Sequence, residues 1–259
     1  MASALRSAGA DVLLLPLIDF EAVAEPSVVI DATERAVAGE YDWLVVSSIT
    51  TVRALAQYLG DGRLNALASA PLKVATIGPS SRRILEDLGF TVDLAPEDRQ
   101  SAEGLLELWT ANGMRASRQR ILLPQADIAG TVLSDGLRSA GNTVDAVTAY
   151  HTVDYPARDE RRLTATLPGA SADVPDAGLL GPAAARSADA AGRIDVVVAA
   201  SPSAARAVVD RLGVPHARFV AIGPSTAAEA ERLGLTVAVV AATPTPKGIV
   251  DAAIAALNS

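Results

Sequence analysis

Two loops of the sequence carry the residue types that bind anions. The loops Gly78-Pro79-Ser80-Ser81 and Gly223-Pro224-Ser225-Thr226 each follow an apolar run and precede a stretch with helical spacing. Glycine permits a tight turn there, and proline fixes φ at a first helical position where no N–H is needed. A helix that begins in this way points free backbone N–H groups towards a carboxylate or phosphate. We therefore predict an anion site at each loop, with Ser80, Ser81, Ser225 and Thr226 as binding residues.

Serines also follow an earlier apolar run in each half of the chain, one predicted strand before each of these loops. Ser48 ends the first run and Ser201 ends the second, with Ser203 two residues further on. A hydroxyl in such a place either binds a ligand or only caps the next helix, and for any single loop both interpretations stay open. Because the pattern occurs at matching positions, it favours a ligand with several anionic groups, and Ser48, Ser201 and Ser203 join the candidate binding residues.

Tyr150 is the candidate catalytic residue, since its phenol could donate a proton from the extended stretch Thr143–Val153. Packing against apolar neighbours is the alternative role for this ring. On a strand His151 would point to the opposite side from Tyr150, and His216 lies in a loop beside Pro215, so neither histidine receives a role. Isolated histidines and carboxylates without ligand-like spacing predict no metal site.

Several classes of function are disfavoured by composition and by missing motifs. The chain of 259 residues has no cysteine, which excludes disulfides, thiolate nucleophiles and cysteine-bound zinc. A net charge of −8 without a basic stripe disfavours nucleic acid as a partner. The sequence has no Walker loop, dinucleotide fingerprint or Gly-x-Ser-x-Gly elbow, so we expect no cofactor. With neither a long apolar span nor a signal peptide, the expected location is the cytoplasm, away from membranes.

The elements that position these residues occur twice along the chain. The block from Asp42 to Leu106 recurs in the same order from Asp195 to Val250. Each copy alternates short apolar runs with amphipathic stretches, which predicts an α/β fold with a doubly wound parallel sheet. Two such domains form a cleft, and a cleft between domains is where a ligand is expected.

The path of the chain predicts a first domain that is discontinuous. Residues 1–20 and 156–259 are assigned to domain 1 and residues 21–155 to domain 2, with 156–193 as a partly irregular connector. The extended stretches Leu17–Ala24 and Thr143–Val153 are predicted to pair as a two-stranded linker. Within domain 1, Asp11–Pro16 is predicted to be a buried strand.

Seven segments in order resemble the uroporphyrinogen-III synthase family. They are Asp42–Ser48, Ile77–Ser81, Ser101–Leu106, Ile121–Pro124, Ala149–Val153, Ser201–Ser203 and Ile222–Ala227. Each segment is a weak signal alone, but their order and spacing are specific from about Ala4 to Leu257. The resemblance implies a cyclising hydro-lyase of tetrapyrrole biosynthesis (heme, siroheme and cobalamin). It would close the linear tetrapyrrole hydroxymethylbilane to uroporphyrinogen III, with inversion of the last ring and loss of water, and would need no cofactor.

The resemblance also assigns roles to single residues. Tyr150 matches the tyrosine that assists departure of the hydroxyl, Ser81 and Thr226 match the hydroxyls of the Gly-Pro loops, and Ser201 and Ser203 match the serine loop. It implies a monomer that contacts hydroxymethylbilane synthase transiently. Family members usually begin with one further strand, so domain 1 is expected to lack its first strand. The alternative function is a catalytically inactive module that binds tetrapyrroles or other anions on the same scaffold.

Overall fold

The computed structural model describes residues 1–114, 118–168 and 178–259. The helices are α1 (Ala2–Ser7), α2 (Ser27–Val37), α3 (Ile49–Ala68), α4 (Pro79–Asp87), α5 (Ala102–Ala111), α6 (Val132–Ser139), α7 (Pro182–Ala190), α8 (Pro202–Leu212), α9 (Pro224–Arg232) and α10 (Pro246–Leu257). The strands are β1 (Ile18–Ala22), β2 (Trp43–Val46), β3 (Lys73–Thr76), β4 (Val92–Leu94), β5 (Arg120–Ala126), β6 (Thr143–Asp154), β7 (Val196–Ala199), β8 (Arg218–Ala221) and β9 (Val237–Val240). Of the described residues, 1–17 with 178–259 form one compact unit, called the terminal unit, and 18–168 form the other, the middle unit.

A six-stranded sheet organises the middle unit. Its order is β1-β6-β5-β2-β3-β4, and each neighbouring pair is parallel except β1 with β6. From β2 the chain proceeds through β3 to β4 on one side, whereas β5 leads to β6 on the other, which is a doubly wound arrangement. The antiparallel pairing of Ile18–Ala22 with residues 150–154 confirms the predicted pairing of the two extended stretches.

The central strand β2 shows why this sheet is covered on both faces. Leu44 and Val46 belong to the core formed with α2, α3 and α4, whereas Trp43 and Val45 belong to the core formed with α5 and α6. Successive side chains of a strand point to opposite faces, so an uninterrupted apolar run requires cover on both. All four residues are buried, as that requirement demands.

The terminal unit is built on a parallel sheet in the order β7-β8-β9. Phe219 of β8 packs with α8 and α9 on one face, and the next residue, Val220, packs with α10 on the other. Small residues such as Ala205 and Ala230 are fully buried at these contacts, so the helices can lie close to the sheet.

The sequence repeat is also a repeat of structure. In the first copy Trp43 of β2 lies opposite Lys73 of β3. In the second copy Val196 of β7 lies opposite Arg218 of β8, which is the equivalent register. Since a shift of one residue would turn every side chain to the other face, equal register places matching residues in matching environments.

A glycine near the start of the third helix in each copy extends this correspondence. Ser101 Oγ accepts the N–H of Gly104 at 3.2 Å in α5, and Thr245 Oγ1 accepts the N–H of Gly248 at 3.1 Å in α10. A Cβ atom on either glycine would collide with a backbone carbonyl of the loop before the helix. Both positions therefore require glycine for close approach of the backbone.

The predicted strand Asp11–Pro16 is wrong. Among the described residues, Leu14 is the one position of this segment that forms a bridge, parallel with Leu179, and Leu13 is 41% exposed. A strand needs a hydrogen-bonding neighbour along its length, and an apolar run indicates burial without specifying that neighbour.

Two elements of the middle unit contain a residue that usually ends such an element. Helix α3 is broken at Gly60, where the backbone is not helical (φ 62°, ψ 174°), and a second helical segment continues from there to Ala68. Strand β5 continues past Pro124 to Ala126, because β2 pairs with it only as far as Leu122 and β6 alone is its partner beyond. Proline is tolerated in a strand at positions where one neighbour is missing.

The division between the units lies elsewhere than the predicted domain boundaries. Residues 18–20 pair with β6 and belong to the middle unit, together with residues 156–168. Leu163 and Leu167 are buried in the cores of that unit. The side-chain oxygen of Gln57 accepts a backbone N–H of the same segment at 2.7 Å. These contacts account for the position of a segment whose composition alone indicated a connector.

The remainder of the predicted connector is only partly described. Residues 182–190 form α7, which begins at the sequence Gly181-Pro182 and packs with α8. Residues 169–177 lie outside the described residues, as do 115–117.

Candidate functional site

The carboxyl ends of the parallel strands position the predicted binding residues. In the middle unit, Ser48 follows β2, Gly78 follows β3 and Asp127 follows β5. Because the chain winds away from β2 and β5 in opposite directions, the loops after these two strands flank the switch point of the sheet. Ligands of open α/β sheets bind in the crevice at such a point.

Ser48 and Ser201 cap the helices that follow them. Ser48 Oγ accepts the N–H of Thr50 at 3.0 Å, and Ser201 Oγ accepts the N–H of Ala204 at 3.1 Å. The hydroxyls of Ser201 and Ser203 lie 3.0 Å apart. The capping role is therefore realised at both serines, and each retains only its remaining hydrogen-bonding capacity for a ligand.

The Gly-Pro loops differ from these two serine caps. Gly78 and Gly223 are the N-cap residues of α4 and α9, and neither has a side chain that could cap the helix. In the described part of the chain, the N–H groups of the two residues after each proline have no acceptor. The partial positive charge of a helix N-terminus is therefore left available to an anion at both loops.

Exposure divides the hydroxyl residues of these loops into two matching pairs. Ser80 and Ser225 are exposed, whereas Ser81 is 7% exposed and Thr226 only 1%. The hydroxyl of Thr226 has no hydrogen-bond partner among the described residues. A ligand at the surface of either loop would therefore meet Ser80 or Ser225 first, with the buried hydroxyl one residue behind.

Tyr150 lies close to Ser48. Its O–H donates to Ser48 Oγ at 3.3 Å, and its ring packs edge-on against Phe20 at 5.6 Å between centroids. Ala54 and Leu163 belong to the same apolar cluster, and Tyr150 is 5% exposed. The structure therefore brings together two of the predicted site residues and gives the phenol both a packing role and a polar partner.

A second tyrosine, which the sequence did not single out, holds the strand of Tyr150 in place. Tyr58 on α3 donates its O–H to the carbonyl of Ala149 at 2.9 Å and accepts the N–H of Val23 at 3.0 Å. Burial raises the pKa of Tyr58, so its hydroxyl stays protonated and can donate. Tyr58 thereby links α3 to the strand that carries Tyr150.

Each histidine pairs with an aspartate, His151 with Asp127 in the loop after β5 and His216 with Asp189 in α7. His151 Nδ1 lies 3.0 Å from Asp127 Oδ2, and His216 Nδ1 lies 3.2 Å from Asp189 Oδ2. Burial opposes ionisation of Asp127, but hydrogen bonds from the Thr152 N–H and from His151 lower its pKa overall. Among the described residues no three His, Asp or Glu side chains are grouped as a metal site would require.

The loop after β9 adds a pair of hydroxyls that the sequence did not single out. Thr243 Oγ1 and Thr245 Oγ1 lie 2.9 Å apart at the start of α10. The signal that could have found them is the alternation Thr243-Pro-Thr-Pro246 shortly after a strand, which has the composition of the other loops at this edge.

The family profile described as uroporphyrinogen-III synthase HemD matches residues 1–251 of the chain. No helix in the described ranges combines the length and apolar character needed to cross a membrane.

Individual relatives carry the same name. A uroporphyrinogen-III synthase of Synechococcus elongatus is 28% identical over 153 residues, covering 58% of this chain and 55% of that protein. A putative uroporphyrinogen-III synthase of Methanothermobacter thermautotrophicus is 34% identical over 119 residues, covering 44% of each. The chain thus spans about half the length of these curated relatives. The solved uroporphyrinogen-III synthetase of Helicobacter pylori shares the fold, with a TM-score of 0.51 and 14% identity over 92% of this chain and 90% of that one.

Proposed function

Because the chain belongs to the uroporphyrinogen-III synthase family, we propose that it cyclises hydroxymethylbilane to uroporphyrinogen III. The last pyrrole ring is inverted and water is lost, so the activity is that of a cyclising hydro-lyase. The observation that carries the proposal beyond family membership concerns the two Gly-Pro loops that begin α4 in the middle unit and α9 in the terminal unit. Both loops have backbone N–H groups with no acceptor among the described residues. Each is suited to a carboxylate, and the substrate carries eight.

Substrate binding is assigned to local dipoles, since the net charge of −8 would repel a polyanion at long range. The exposed hydroxyls of Ser80 and Ser225 and the adjacent N–H groups would bind carboxylates directly. Ser81 and Thr226 would contribute hydroxyls from behind them. Ser48, Ser201 and Ser203 would shape the neighbouring loops through their caps and offer their remaining hydroxyl hydrogen bonds.

Tyr150 is the proposed proton donor. Its O–H proton would pass to the terminal hydroxyl of the substrate, which leaves as water and generates an azafulvene. The azafulvene carbon then bonds to the α-carbon of the last ring that carries the chain, which gives a spiro intermediate. The older bond from that α-carbon to its methylene bridge breaks, and the bridge bonds to the free α-carbon of the same ring. The proton lost there returns to the Tyr150 oxygen as the cyclic product forms. At 3.3 Å the bond to Ser48 Oγ is long, so exchanging it for a substrate oxygen costs little. Positioning of a reactive chain supplies most of the catalytic effect in this scheme.

A catalytically inactive module that binds tetrapyrroles or other anions is the competing function. The observation in its favour is the 5% exposure of Tyr150, which suits a packing role. Such a module would use the same helix starts and would leave ring closure to the spontaneous reaction.

Product identity separates the two functions. Hydroxymethylbilane is supplied to the folded protein and the cyclic isomers I and III are separated. Directed closure gives isomer III, whereas isomer I alone, the product of spontaneous closure, would support the inactive module.

Family membership also supports proposals about the setting of the reaction. We propose a cytoplasmic monomer without a cofactor that receives its substrate through transient contact with hydroxymethylbilane synthase.

A further inference from the structure

The structural repeat places two arginines at equivalent positions. Arg53 is the fifth residue after the N-cap Ser48 in α3, and Arg206 is the fifth after the N-cap Ser201 in α8. The strands before these helices have equivalent register in both copies, so the two helices start from matching points. Helix α3 packs against α4 as α8 packs against α9.

In the terminal unit this arginine has a partner on the neighbouring helix. Arg206 Nη1 lies 2.8 Å from Glu229 Oε1. Hydrogen bonding from Arg232, together with the charge of Arg206, lowers the pKa of Glu229 to about 2. The carboxylate is thus ionised near neutral pH, where it is paired with these two arginines. Glu229 lies three residues after Thr226, on the same side of α9 as that residue.

In the middle unit the partner is missing. The residue equivalent to Glu229 is Ile84, three residues after Ser81, and Ile84 is buried in the apolar core. Arg53 itself is partly buried, and its side chain makes no hydrogen bond or ion pair with any residue of the described ranges. The two arginines near the start of the neighbouring helix α4 form ion pairs, Arg82 with Glu86 at 2.9 Å and Arg83 with Asp87 at 3.9 Å.

We propose that Arg53 binds a carboxylate of the tetrapyrrole substrate, in the place where its counterpart Arg206 binds an internal carboxylate. The assignment rests on the proposed function for the identity of the ligand. The N–H groups of Ser80 and Ser81, which have no acceptor in the described structure, lie one turn from Ile84 on α4 and would share the same anion. An arginine offers two parallel donors to a carboxylate, so Arg53 would favour a carboxylate of the substrate over a neutral substituent.

The test measures affinity for uroporphyrin III, an octacarboxylate, together with KM for hydroxymethylbilane. Arg53→Gln is expected to raise the Kd for uroporphyrin III and the KM for hydroxymethylbilane about tenfold each, because one charge-assisted hydrogen-bonded pair is lost. The value of kcat should change little. For Arg53→Lys, both constants should lie between those of the wild type and Arg53→Gln, because a point charge replaces the planar guanidinium group. Unchanged affinity in a folded Arg53→Gln protein would overturn the assignment.

Two variants control for loss of charge and for loss of the repeated arginine. Arg63→Gln removes a cation from the far part of the same helix, where it lies 3.6 Å from Glu34. Arg206→Gln breaks the internal ion pair of the terminal unit. Both are expected to keep affinity within about twofold, as surface substitutions do. An equal loss of affinity in Arg63→Gln would show a general charge effect and overturn the specific contact.

A reciprocal variant restores the missing partner. Ile84→Glu places a carboxylate where the terminal unit has Glu229, and this carboxylate should occupy Arg53 and weaken binding of the porphyrin. The same substitution added to Arg53→Gln should cause no further loss. An equal loss in both backgrounds contradicts the proposal, and melting temperatures show whether each protein is folded.

The outcomes separate this assignment from the proposed activity. If the wild type binds uroporphyrin III in an Arg53-dependent way but yields only isomer I, the synthase function fails and the carboxylate contact stands. If it yields isomer III and Arg53→Gln leaves affinity and KM unchanged, the contact fails and the function stands.

Discussion

The hydroxyl of Thr226 is buried at 1% exposure without a hydrogen-bond partner in the described structure. A buried hydroxyl in this condition costs free energy in the unliganded protein, and a bound carboxylate or its water would provide the partner. We therefore expect Thr226→Val, which keeps the shape, to leave the free energy of unfolding unchanged or raise it by up to about 1 kcal/mol. The variant should weaken substrate binding by about 0.5–1.5 kcal/mol.

Thermal unfolding and KM measure the two effects of Thr226→Val. Ser225→Ala is the matched control for stability, since Ser225 is exposed and its hydroxyl is free to bond with water. A clear loss of stability in Thr226→Val would mean that the hydroxyl has a partner within the protein. That result would contradict its role as a hydroxyl whose hydrogen-bond partner is the bound ligand.

Tyr150 offers the sharpest residue-scale test of the chemistry. Tyr150→Phe keeps the edge-on packing against Phe20 and removes only the O–H that donates to Ser48. Because a proton given to a leaving hydroxyl matters most in the transition state, kcat should fall at least about tenfold while KM stays near the wild-type value. Full turnover in this variant would contradict the role of the phenol as proton donor and leave packing as its role. Ser48→Ala, which removes the partner of the phenol, should lower kcat by less.

At the scale of elements, the third helix of each repeat depends on one glycine. Gly104→Ala and Gly248→Ala would each force a Cβ into a loop carbonyl, so we expect each to lower the free energy of unfolding by about 1–3 kcal/mol. Gly62→Ala is the control, because nothing lies within 4 Å of a Cβ there and alanine favours the helix by up to about 1 kcal/mol. Denaturant titration compares the three proteins. Equal stability of Gly248→Ala and the wild type would contradict the close approach described for α10.

Strand β1 carries a buried carboxylate whose ionisation should make stability depend on pH. Hydrogen bonds from Arg158 lower the pKa of Glu21 from 4.5 to about 2. A depressed folded-state pKa stabilises the fold above the unfolded-state pKa, and that contribution is lost as pH falls from about 5 to about 2. The stability gap between the wild type and Glu21→Gln should therefore be largest near neutral pH and close at about pH 2.

Unfolding midpoints at several pH values measure this gap. Glu25→Gln, a change at an exposed carboxylate a few residues further on, is the control and should show no such trend. A gap between the wild type and Glu21→Gln that is as wide near pH 2 as at pH 7 would contradict the role of ionised Glu21.

Most elements could be predicted from apolar periodicity, and the exceptions share a physical cause. The run Trp43–Val46 indicates a strand covered on both faces, and the structure confirms it. Asp11–Pro16 has a similar composition but only a single bridge at Leu14, because no adjacent strand pairs with it among the described residues. Periodicity reports burial, whereas a strand also requires a neighbour that local sequence does not specify.

At the scale of the whole molecule, the repeat was the strongest signal in the sequence for the candidate site. It located the Gly-Pro loops in both units and the serines that cap α3 and α8. It could not show that Ser81 and Thr226 are buried, since burial is decided by neighbours distant in sequence. It could also not show that the side chain of Arg53 has no partner within the described ranges, because that depends on Ile84 occupying the position of Glu229 in the other copy.

We propose above all that this chain directs closure of hydroxymethylbilane with inversion of the last ring. The decisive measurement is the fraction of isomer III formed from hydroxymethylbilane by the purified, folded chain, compared with a reaction without protein. We predict predominantly isomer III, formed faster than isomer I appears in the control. Isomer I at the spontaneous rate, from a protein that unfolds cooperatively and is therefore intact, would contradict the proposed function.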